Sequence, residues 1–272
     1  MNNPYCPVKG KITDIIEETP NIKTFKLKLD KNIPFKTGQF VEMTVPGIGE
    51  APFTPSSNPK TEDAMDLTVM KAGRVTSVLH GMKAGDEIAV RGPYGAGYPL
   101  NTFQGKEILI IGGGVGLAPL RSLILALLNE RKKYKRLVIK YGSRSPKDIV
   151  YKNLIKEWSD NKDLEFSVTV DAGDETWKGN VGLITMLVKR DMGIDTANSV
   201  AIVCGPPIMM KFTTFKLIDI GYEPRSIYLS MEKNMSCGFG KCGHCRIGPY
   251  YACKDGPVFT YDKLSGLHGI WE

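Results

Sequence analysis

The chain reads EILIIGGGVGLAP at residues 107–119, a short apolar run that ends in a glycine-rich turn. The turn is followed by a leucine-rich, helix-like stretch up to residue 128. A buried strand, a tight turn and a helix together form the opening unit of a parallel α/β sheet. Further apolar runs of strand length lie at residues 136–141, 164–170, 199–204 and 226–229. We therefore predict a Rossmann-like, doubly wound α/β domain over residues 103–230.

The preceding part of the chain has a different rhythm, in which apolar and polar residues alternate over short distances. Such runs lie at residues 23–29, 39–45, 66–71 and 86–91, separated by turns rich in proline, glycine and asparagine. Regularly spaced short strands are typical of a small antiparallel barrel. We predict such a β-barrel domain over residues 1–102.

Four cysteines lie close together near the C-terminus, with the spacing C-x4-C-x2-C-x7-C. They are Cys237, Cys242, Cys245 and Cys253, and the first three lie in a glycine-rich run. The spacing is that of a plant-type [2Fe–2S] cluster held by four thiolates. Zinc is the main alternative, although zinc sites usually combine two C-x2-C pairs. We predict a cluster-binding appendage over residues 231–272, with these four cysteines as its metal ligands.

Composition narrows the classes of function. The chain has 272 residues, of which 42% are hydrophobic and 24% charged, as in ordinary globular proteins. Its formal net charge is +7, but the lysines are scattered among 29 acidic residues, which favours a solvated surface over a nucleic-acid interface. No apolar run approaches the ~20 residues of a membrane span, and the first residues do not resemble a signal peptide. Clustered metal-binding thiols fit a reducing compartment, so we expect a cytoplasmic protein.

The glycine turn is a candidate phosphate site, because the backbone of Gly113, Gly114 and Gly116 can approach a pyrophosphate at a helix N-terminus. The turn lacks the G-x-G-x-x-G fingerprint, since Pro119 stands where the third glycine is expected. Tight packing between a strand and a helix is an equally good reason for these glycines.

Taken together, these features resemble the ferredoxin–NADP reductase superfamily. The resemblance rests on the order of the two domains, on the turn at residues 112–119 and on the CGPP stretch at residues 204–207. With the cysteine tail included, the chain resembles sulfhydrogenase gamma subunits and the B subunit of anaerobic sulfite reductases. Dihydroorotate dehydrogenase electron-transfer subunits are more distantly similar. The resemblance implies FAD in the barrel, NAD(H) or NADP(H) in the α/β domain and electron transfer through the cluster.

The family's flavin motif, R-x-Y-S/T, aligns with residues 51–54. Phe53 then stacks on the flavin and the Thr54 hydroxyl lies near its reactive nitrogen. Ala51 replaces the arginine that neutralises the flavin pyrophosphate. The resemblance therefore assigns phosphate binding to one short segment, Gly73, Arg74, Val75, Thr76 and Ser77.

The resemblance also implies where the nicotinamide nucleotide is bound. The adenosine ribose is recognised after the third strand of the α/β domain, where Asp171 stands. A carboxylate accepts hydrogen bonds from ribose hydroxyls and repels a 2′-phosphate, which favours NADH. Ser143 and Arg144 are the alternative, because they are suited to binding a phosphate and so to NADPH. The nicotinamide ring is expected near Cys204, Gly205 and Pro206, and we expect Cys204 and Thr54 to flank the reacting rings.

The sequence thus predicts an electron-transfer flavoprotein subunit that exchanges electrons with the iron–sulfur and catalytic subunits of a redox complex. The terminal reaction, at sulfite, sulfur or hydrogen, belongs to the partner. A stand-alone NAD(P)H:ferredoxin-type reductase is the alternative, and a zinc-binding, non-redox interaction module is an alternative of another class. Cys6 has no role that the sequence indicates.

Overall fold

The computed structural model describes residues 3–61 and 64–272. The chain divides into two compact units. The first comprises residues up to Tyr98, the helical segment Arg121–Ala126 and the cysteine-bearing segment Met231–Val258. The second comprises Pro99–Leu120, Leu127–Ser230 and Phe259–Glu272. The cysteines are thus grouped with the N-terminal strands, and the domain boundaries given above stay predictions.

The first unit is built on a six-stranded antiparallel sheet. Its strands are β1 (Val8–Thr19), β2 (Ile22–Leu29), β3 (Phe40–Val45), β4 (Gly49–Phe53), β5 (Met65–Met70) and β6 (Glu87–Tyr94). They are ordered β4-β3-β6-β1-β2-β5, and an isolated antiparallel bridge from Pro55 to Leu67 joins the segment after β4 to β5. The bridge connects the two ends of the sheet, so the predicted antiparallel barrel is confirmed.

Alternation along the strands directs one side-chain face into the barrel. The interior contains Phe25 and Leu27 of β2, Val41 and Met43 of β3 and Val90 of β6, all fully buried. Each side chain on the opposite face of β3 and β6 points away from this core, because successive residues in a strand face opposite ways. The helix α1 (Arg74–Gly81) lies beside β4.

The second unit contains a seven-stranded sheet. It comprises β7 (Glu107–Gly113), β8 (Arg136–Ser143), β9 (Glu165–Val170), β10 (Asn180–Val181), β11 (Ser199–Cys204), β12 (Ile227–Ser230) and β15 (Val258–Thr260). The order is β10-β9-β8-β7-β11-β12-β15, with parallel pairing from β10 to β12. The central strands β7 and β11 are buried along almost their whole length, as expected of a sheet covered on both faces. The predicted doubly wound α/β architecture is confirmed.

Helices connect the parallel strands. The connecting helices are α3 (Leu117–Asn129), α4 (Lys152–Asp160) and α5 (Pro207–Asp219), while α2 (Leu100–Phe103) precedes β7 and α6 (Tyr261–Leu264) follows β15. The cysteine-bearing segment has little regular structure, apart from a small hairpin of β13 (Arg246–Ile247) and β14 (Tyr250–Tyr251). Across residues 3–61 and 64–272, no helix is both long and apolar enough to cross a membrane.

Candidate functional site: a glycine-lined strand end, a barrel and a cysteine loop

The glycine turn follows β7 as predicted, and Gly114 is its most open position. Gly114 has φ +54° in a single 3-10 turn, and a Cβ placed there would meet no atom within 4 Å. The hydroxyl of Tyr141, a fully buried residue of β8, donates to the Gly114 carbonyl over 3.2 Å. Tyr141 therefore fixes the turn while the other side of Gly114 remains accessible to a ligand. Its burial raises the pKa of this phenol to about 12, so the hydroxyl keeps its proton.

Gly116 serves a different purpose. A Cβ on Gly116 would lie 2.6 Å from the Cys204 carbonyl oxygen, which no side chain tolerates. A Cβ on Gly205 would lie 2.9 Å from the sulfur of Met209 and 3.2 Å from the Cα of Gly113. The ends of β7 and β11 thus approach at backbone distance, and packing accounts for these glycines. The predicted nucleotide residues Gly113, Gly114, Gly116, Cys204, Gly205 and Pro206 are brought together at this edge.

The candidate ribose-reading residues also meet at the carboxyl end of the sheet. Asp171 follows β9, and its amide donates to the Ser143 carbonyl over 2.9 Å. Asp171 is exposed, whereas Ser143 is buried and its hydroxyl donates to the Ser145 carbonyl. The Arg144 side chain is 79% exposed and lies 3.9 Å from the Asp148 carboxylate. Asp171 of the first candidate set and Arg144 of the second are thus both exposed to a ligand, while the Ser143 hydroxyl is already engaged.

The flavin segment lies on β4 and α1 of the first unit. Phe53, at the end of β4, is half-buried and packs against the barrel core, and Thr54 follows it. The exposed turn at Gly73 is held by the hydroxyl of Thr76, which accepts from the Gly73 amide over 2.8 Å. The Thr76 hydroxyl is therefore occupied within the turn. The side chains of Arg74 and Ser77 are left exposed beside it, next to half-buried Val75.

The four cysteines form two pairs, of which the first is Cys237 and Cys242. Burial alone would raise the pKa of the Cys237 thiol. The N–H groups of Cys242, Lys241 and Phe239 hydrogen-bond to the Cys237 sulfur and reverse this effect, so the pKa falls to about 6. The Lys241 amide lies 3.3 Å from that sulfur. Cys242 is the exposed member of the pair.

The second pair is Cys245 and Cys253, both about 1% exposed, with their sulfur atoms 3.2 Å apart. Burial and the neighbouring Cys245 thiol raise the pKa of Cys253 to about 12. The Gly240 amide donates to the Cys253 sulfur over 3.0 Å. Backbone N–H groups thus point at sulfur in both pairs, as they do around iron–sulfur centres. The soft donors and their amide partners fit an iron–sulfur cluster.

A buried polar group, not found from the sequence, lies under the cysteine-bearing segment Met231–Val258, which we call the cysteine loop. On the outer face of the barrel, Arg91 of β6 forms an ion pair with Glu50 of β4 and donates to the carbonyls of Ser236 and Cys237. Glu42 of β3 pairs in register with Arg91 and is 0% exposed. Neither carboxylate oxygen of Glu42 has a hydrogen-bond partner among the described residues.

This fold and these candidate sites together define a two-domain flavin and nicotinamide reductase that carries an iron–sulfur segment. Residues 9–98 match the oxidoreductase FAD-binding domain, and residues 110–214 match the oxidoreductase NAD-binding domain. Residues 232–265 match the iron–sulfur cluster binding domain of dihydroorotate dehydrogenase B. The expected FAD, NAD and iron–sulfur chemistry is thereby confirmed.

Similar proteins extend over the whole chain. Sulfhydrogenase 1 subunit gamma of Pyrococcus furiosus is 36% identical, covering 99% of this chain and 96% of that protein. The probable dihydroorotate dehydrogenase B (NAD(+)) electron transfer subunit of Methanocaldococcus jannaschii is 34% identical, covering 95% and 91%. The chain therefore belongs to the family of electron-transfer subunits that these proteins represent, as its sequence motifs indicated.

Solved structures agree with this fold. A chain of the NADH-dependent reduced ferredoxin–NADP oxidoreductase, described in connection with flavin-based electron bifurcation, has a TM-score of 0.75 and 26% identity, covering 94% of this chain and 91% of that one. A ferredoxin–NADP+ reductase from Neisseria gonorrhoeae, with bound FAD and NADP, has a TM-score of 0.71 at 20% identity, covering 82% and 97%. The second likeness concerns the fold alone.

Proposed function

We propose that this chain is a subunit that passes electrons between NAD(P)H, FAD and a [2Fe–2S] cluster, to or from the catalytic subunit of a partner. The observation that carries the proposal is the grouping of the cysteine loop with the flavin-type barrel in one compact unit. A loop packed on the barrel keeps a cluster near a flavin. The two relatives described above are themselves named as subunits.

The choice of a two-iron cluster is supported by the grouping of the sulfur atoms. In a [2Fe–2S] centre four cysteines serve two irons, so the thiolates are needed in pairs. Within the described residues, no three histidine, cysteine or acidic side chains gather where one metal ion could be held. A single zinc would require four ligands around one point. The pairing of Cys237 with Cys242 and of Cys245 with Cys253 therefore favours two irons.

FAD, when bound, supplies the conversion between the two-electron chemistry of nicotinamide and the one-electron chemistry of the cluster. The chain's own residues bind and orient. Gly114 offers an open backbone for the nucleotide phosphates, and Asp171 is available to accept hydrogen bonds from the ribose. Thr54 and Cys204 are proposed to flank the reacting rings, with Phe53 against the flavin. No side chain needs to act as acid or base in hydride transfer.

The surface of α5 favours the subunit interpretation over a stand-alone reductase. Ile208, Phe212 and Phe215 are 60%, 54% and 41% exposed, at positions i, i+4 and i+7 of one helix face. An exposed apolar stripe of this kind is typical of a surface covered by another protein. We propose that this face contributes to contact with another subunit of the redox complex. We also propose a reducing, cytoplasmic compartment, because clustered metal-binding thiols fit such a compartment.

Anaerobic purification tests the proposal directly. The native protein is expected to contain FAD, with iron and acid-labile sulfide in equal amounts, about two of each per chain. Chemical reduction should produce the paramagnetic signal of a one-electron-reduced [2Fe–2S] cluster. Zinc without iron and sulfide would establish the non-redox alternative. A colourless protein after reconstitution with FAD, iron and sulfide would contradict the whole assignment.

Nucleotide preference provides a second prediction. Replacing the exposed carboxylate, Asp171→Ser, removes a charge that repels a 2′-phosphate. We expect the ratio of kcat/KM for NADPH to that for NADH to rise about tenfold, equivalent to about 1.4 kcal/mol. The measurement is steady-state reduction of an artificial electron acceptor with each nucleotide.

The matched control is Asp174→Ser in the same loop. Asp174 is also exposed, but its carboxylate is engaged by the hydroxyl and amide of Thr176. Both variants remove one negative charge, so an equal change in preference would mean a general charge effect. That result would argue against ribose recognition by Asp171.

A further inference from the structure

Arg91 is a buried cation between the barrel and the cysteine loop. It lies on β6 directly after Val90, which faces the barrel core, so its side chain lies on the outer face. An outward-facing arginine would ordinarily be solvated, yet Arg91 is only 3% exposed. The cysteine loop covers it, which makes this arginine part of the interface between the two segments.

Every N–H of the guanidinium is engaged. Nε and Nη2 form a forked pair with the Glu50 carboxylate, at 2.9 Å and 2.6 Å to Oε2. Nη1 donates to the Tyr94 hydroxyl over 3.1 Å and to the Cys237 carbonyl over 2.6 Å, and Nη2 donates to the Ser236 carbonyl over 2.9 Å. A planar guanidinium with five donors suits such a fixed arrangement, and lysine would not reproduce it.

The loop is fitted closely to this cation. Gly238 has φ +87°, and a Cβ there would lie 2.9 Å from the Tyr94 ring and 3.3 Å from Nη1 of Arg91. Only glycine allows both the backbone conformation and the close approach. Because the Cys237–Gly238 peptide is trans and planar, binding its carbonyl to Arg91 turns the Gly238 N–H away from the guanidinium. Arg91 thereby sets the orientation of the first cysteine of the loop.

The charge of Arg91 also acts on the centre that the cysteines hold. The Glu50 carboxylate carries the opposing negative charge. The Glu50 side chain is 31% exposed and the Arg91 side chain is 3% exposed, so water screens the carboxylate more than it screens the guanidinium. The cation is hydrogen-bonded directly to Cys237, whereas the described hydrogen bonds of Glu50 go to Arg91 and Thr44. Reduction adds one negative charge to an iron–sulfur centre, and a fixed positive charge nearby stabilises the reduced form.

We propose that Arg91 is a positioning residue for the cysteine loop and that its charge raises the reduction potential of the cluster. The inference rests on the proposed function, because it requires the cluster to be held by the cysteine loop. The role is additional to ligation, since Arg91 lies 146 positions from Cys237 in sequence and contributes no ligand atom. Through Arg91, a residue of the barrel changes the reduction potential of the cluster.

The test uses the full protein, loaded with its cofactors and titrated anaerobically with detection of the cluster's paramagnetic signal. In Arg91→Gln the equilibrium constant for one-electron reduction is expected to fall about tenfold, which is 59 mV for one electron. Arg91→Lys keeps the charge and should recover part of that shift. Glu50→Gln removes the counter-charge and should move the potential in the opposite direction.

Arg136→Gln is the matched control. Arg136 also forms a forked pair with a glutamate, Glu165, but its remaining hydrogen bonds go to the carbonyls of Met192 and Gly193 in the second unit. The reduction potential of the cluster in Arg136→Gln should equal that in the wild type.

The possible outcomes distinguish a failure of the proposed function from a failure of the proposed role of Arg91. Wild-type protein without iron would refute the proposed function itself. Wild-type protein with a cluster, and Arg91→Gln with full iron and an unchanged potential, would refute only the role of Arg91. If Arg91→Gln assembles no cluster, Glu50→Gln decides, because an unchanged or lower potential in that variant overturns the proposal. Equal potentials in Arg91→Lys and Arg91→Gln would likewise show that the charge does not act.

Discussion

Cys253→Ala is expected to eliminate the iron–sulfur cluster while leaving the flavin in place. The Cys253 sulfur is buried, lies 3.2 Å from the Cys245 sulfur and accepts the Gly240 amide. Its removal leaves one member of that pair alone and an amide without its acceptor. Loss of a partner that merely hydrogen-bonds to a ligand costs about 10–100-fold in metal affinity, so loss of the ligand should cost more. Iron and sulfide are therefore expected to fall to near background.

The functional result should be a separation of two activities. FAD content and NADH oxidation by a dye that accepts electrons from the flavin should remain near the wild-type level, since the flavin segment is on β4 and α1. Reduction of the protein by one electron at the cluster should be lost. Metal analysis, flavin absorbance and the paramagnetic signal are measured on the same sample.

Cys6→Ala is the matched control for this experiment. Cys6 is an exposed thiol outside the loop, and its loss should leave iron, sulfide and flavin unchanged. If Cys253→Ala kept a full complement of iron and an unchanged signal, Cys253 would not be a ligand. Simultaneous loss of flavin would instead show that the variant had disturbed the barrel.

The elements that the sequence predicted well are those with a strong local pattern. The buried strand β7 has an uninterrupted apolar run closed by glycines, and β11 has the same character, so their positions were clear. The long strand β1 was not identified from the sequence. Only three of its twelve residues are buried, so the alternation of buried and exposed residues is weak. A strand with few buried side chains leaves little sequence signal.

The glycines illustrate a different limit. The sequence indicated a ligand-facing turn but could not assign a reason to each position. Gly116 is explained by its approach to the Cys204 carbonyl, some ninety positions later, and only Gly114 is left open. A contact between two parallel strand ends depends on the sheet order, which is a property of the tertiary fold.

The buried polar group of Glu42, Glu50 and Arg91 was also missed, because its burial depends on a tertiary contact. In β3 and β6 the residues facing away from the core, among them Glu42 and Arg91, read as an ordinary solvated face. The cysteine loop, which is far away in sequence, covers that face, and no local sequence pattern predicts that it is buried. The cysteines themselves were evident because their spacing is short and their chemistry specific.

The covered face leads to the last expected result, which is that Glu42 makes the stability of the protein depend on pH. Burial raises the pKa of the Glu42 carboxyl from 4.5 to about 7, with Arg91 opposing the rise and Glu50 adding to it. In the unfolded chain the same carboxyl loses its proton near its ordinary pKa. The folded state therefore binds the proton more tightly. This contribution to stability is fully present below about pH 4.5 and is lost as the pH rises through 7.

The size of the effect follows from the shift, which corresponds to about 3 kcal/mol in total, of which most falls between pH 5 and pH 8. In Glu42→Gln the side chain is neutral at every pH, so the decline in the free energy of unfolding over that range should be about 2–3 kcal/mol smaller than in the wild type. Glu87→Gln, an exposed position at the start of β6, should leave the decline unchanged.

Infrared spectra provide an independent measurement, because a protonated carboxyl band that disappears near pH 7 should be present in the wild type and absent from Glu42→Gln. Parallel stability curves for these two proteins, with no such band, would mean that Glu42 is ionised within the fold. A buried anion would then lie beside the Arg91–Glu50 pair, and the guanidinium would be balanced by two carboxylates rather than one.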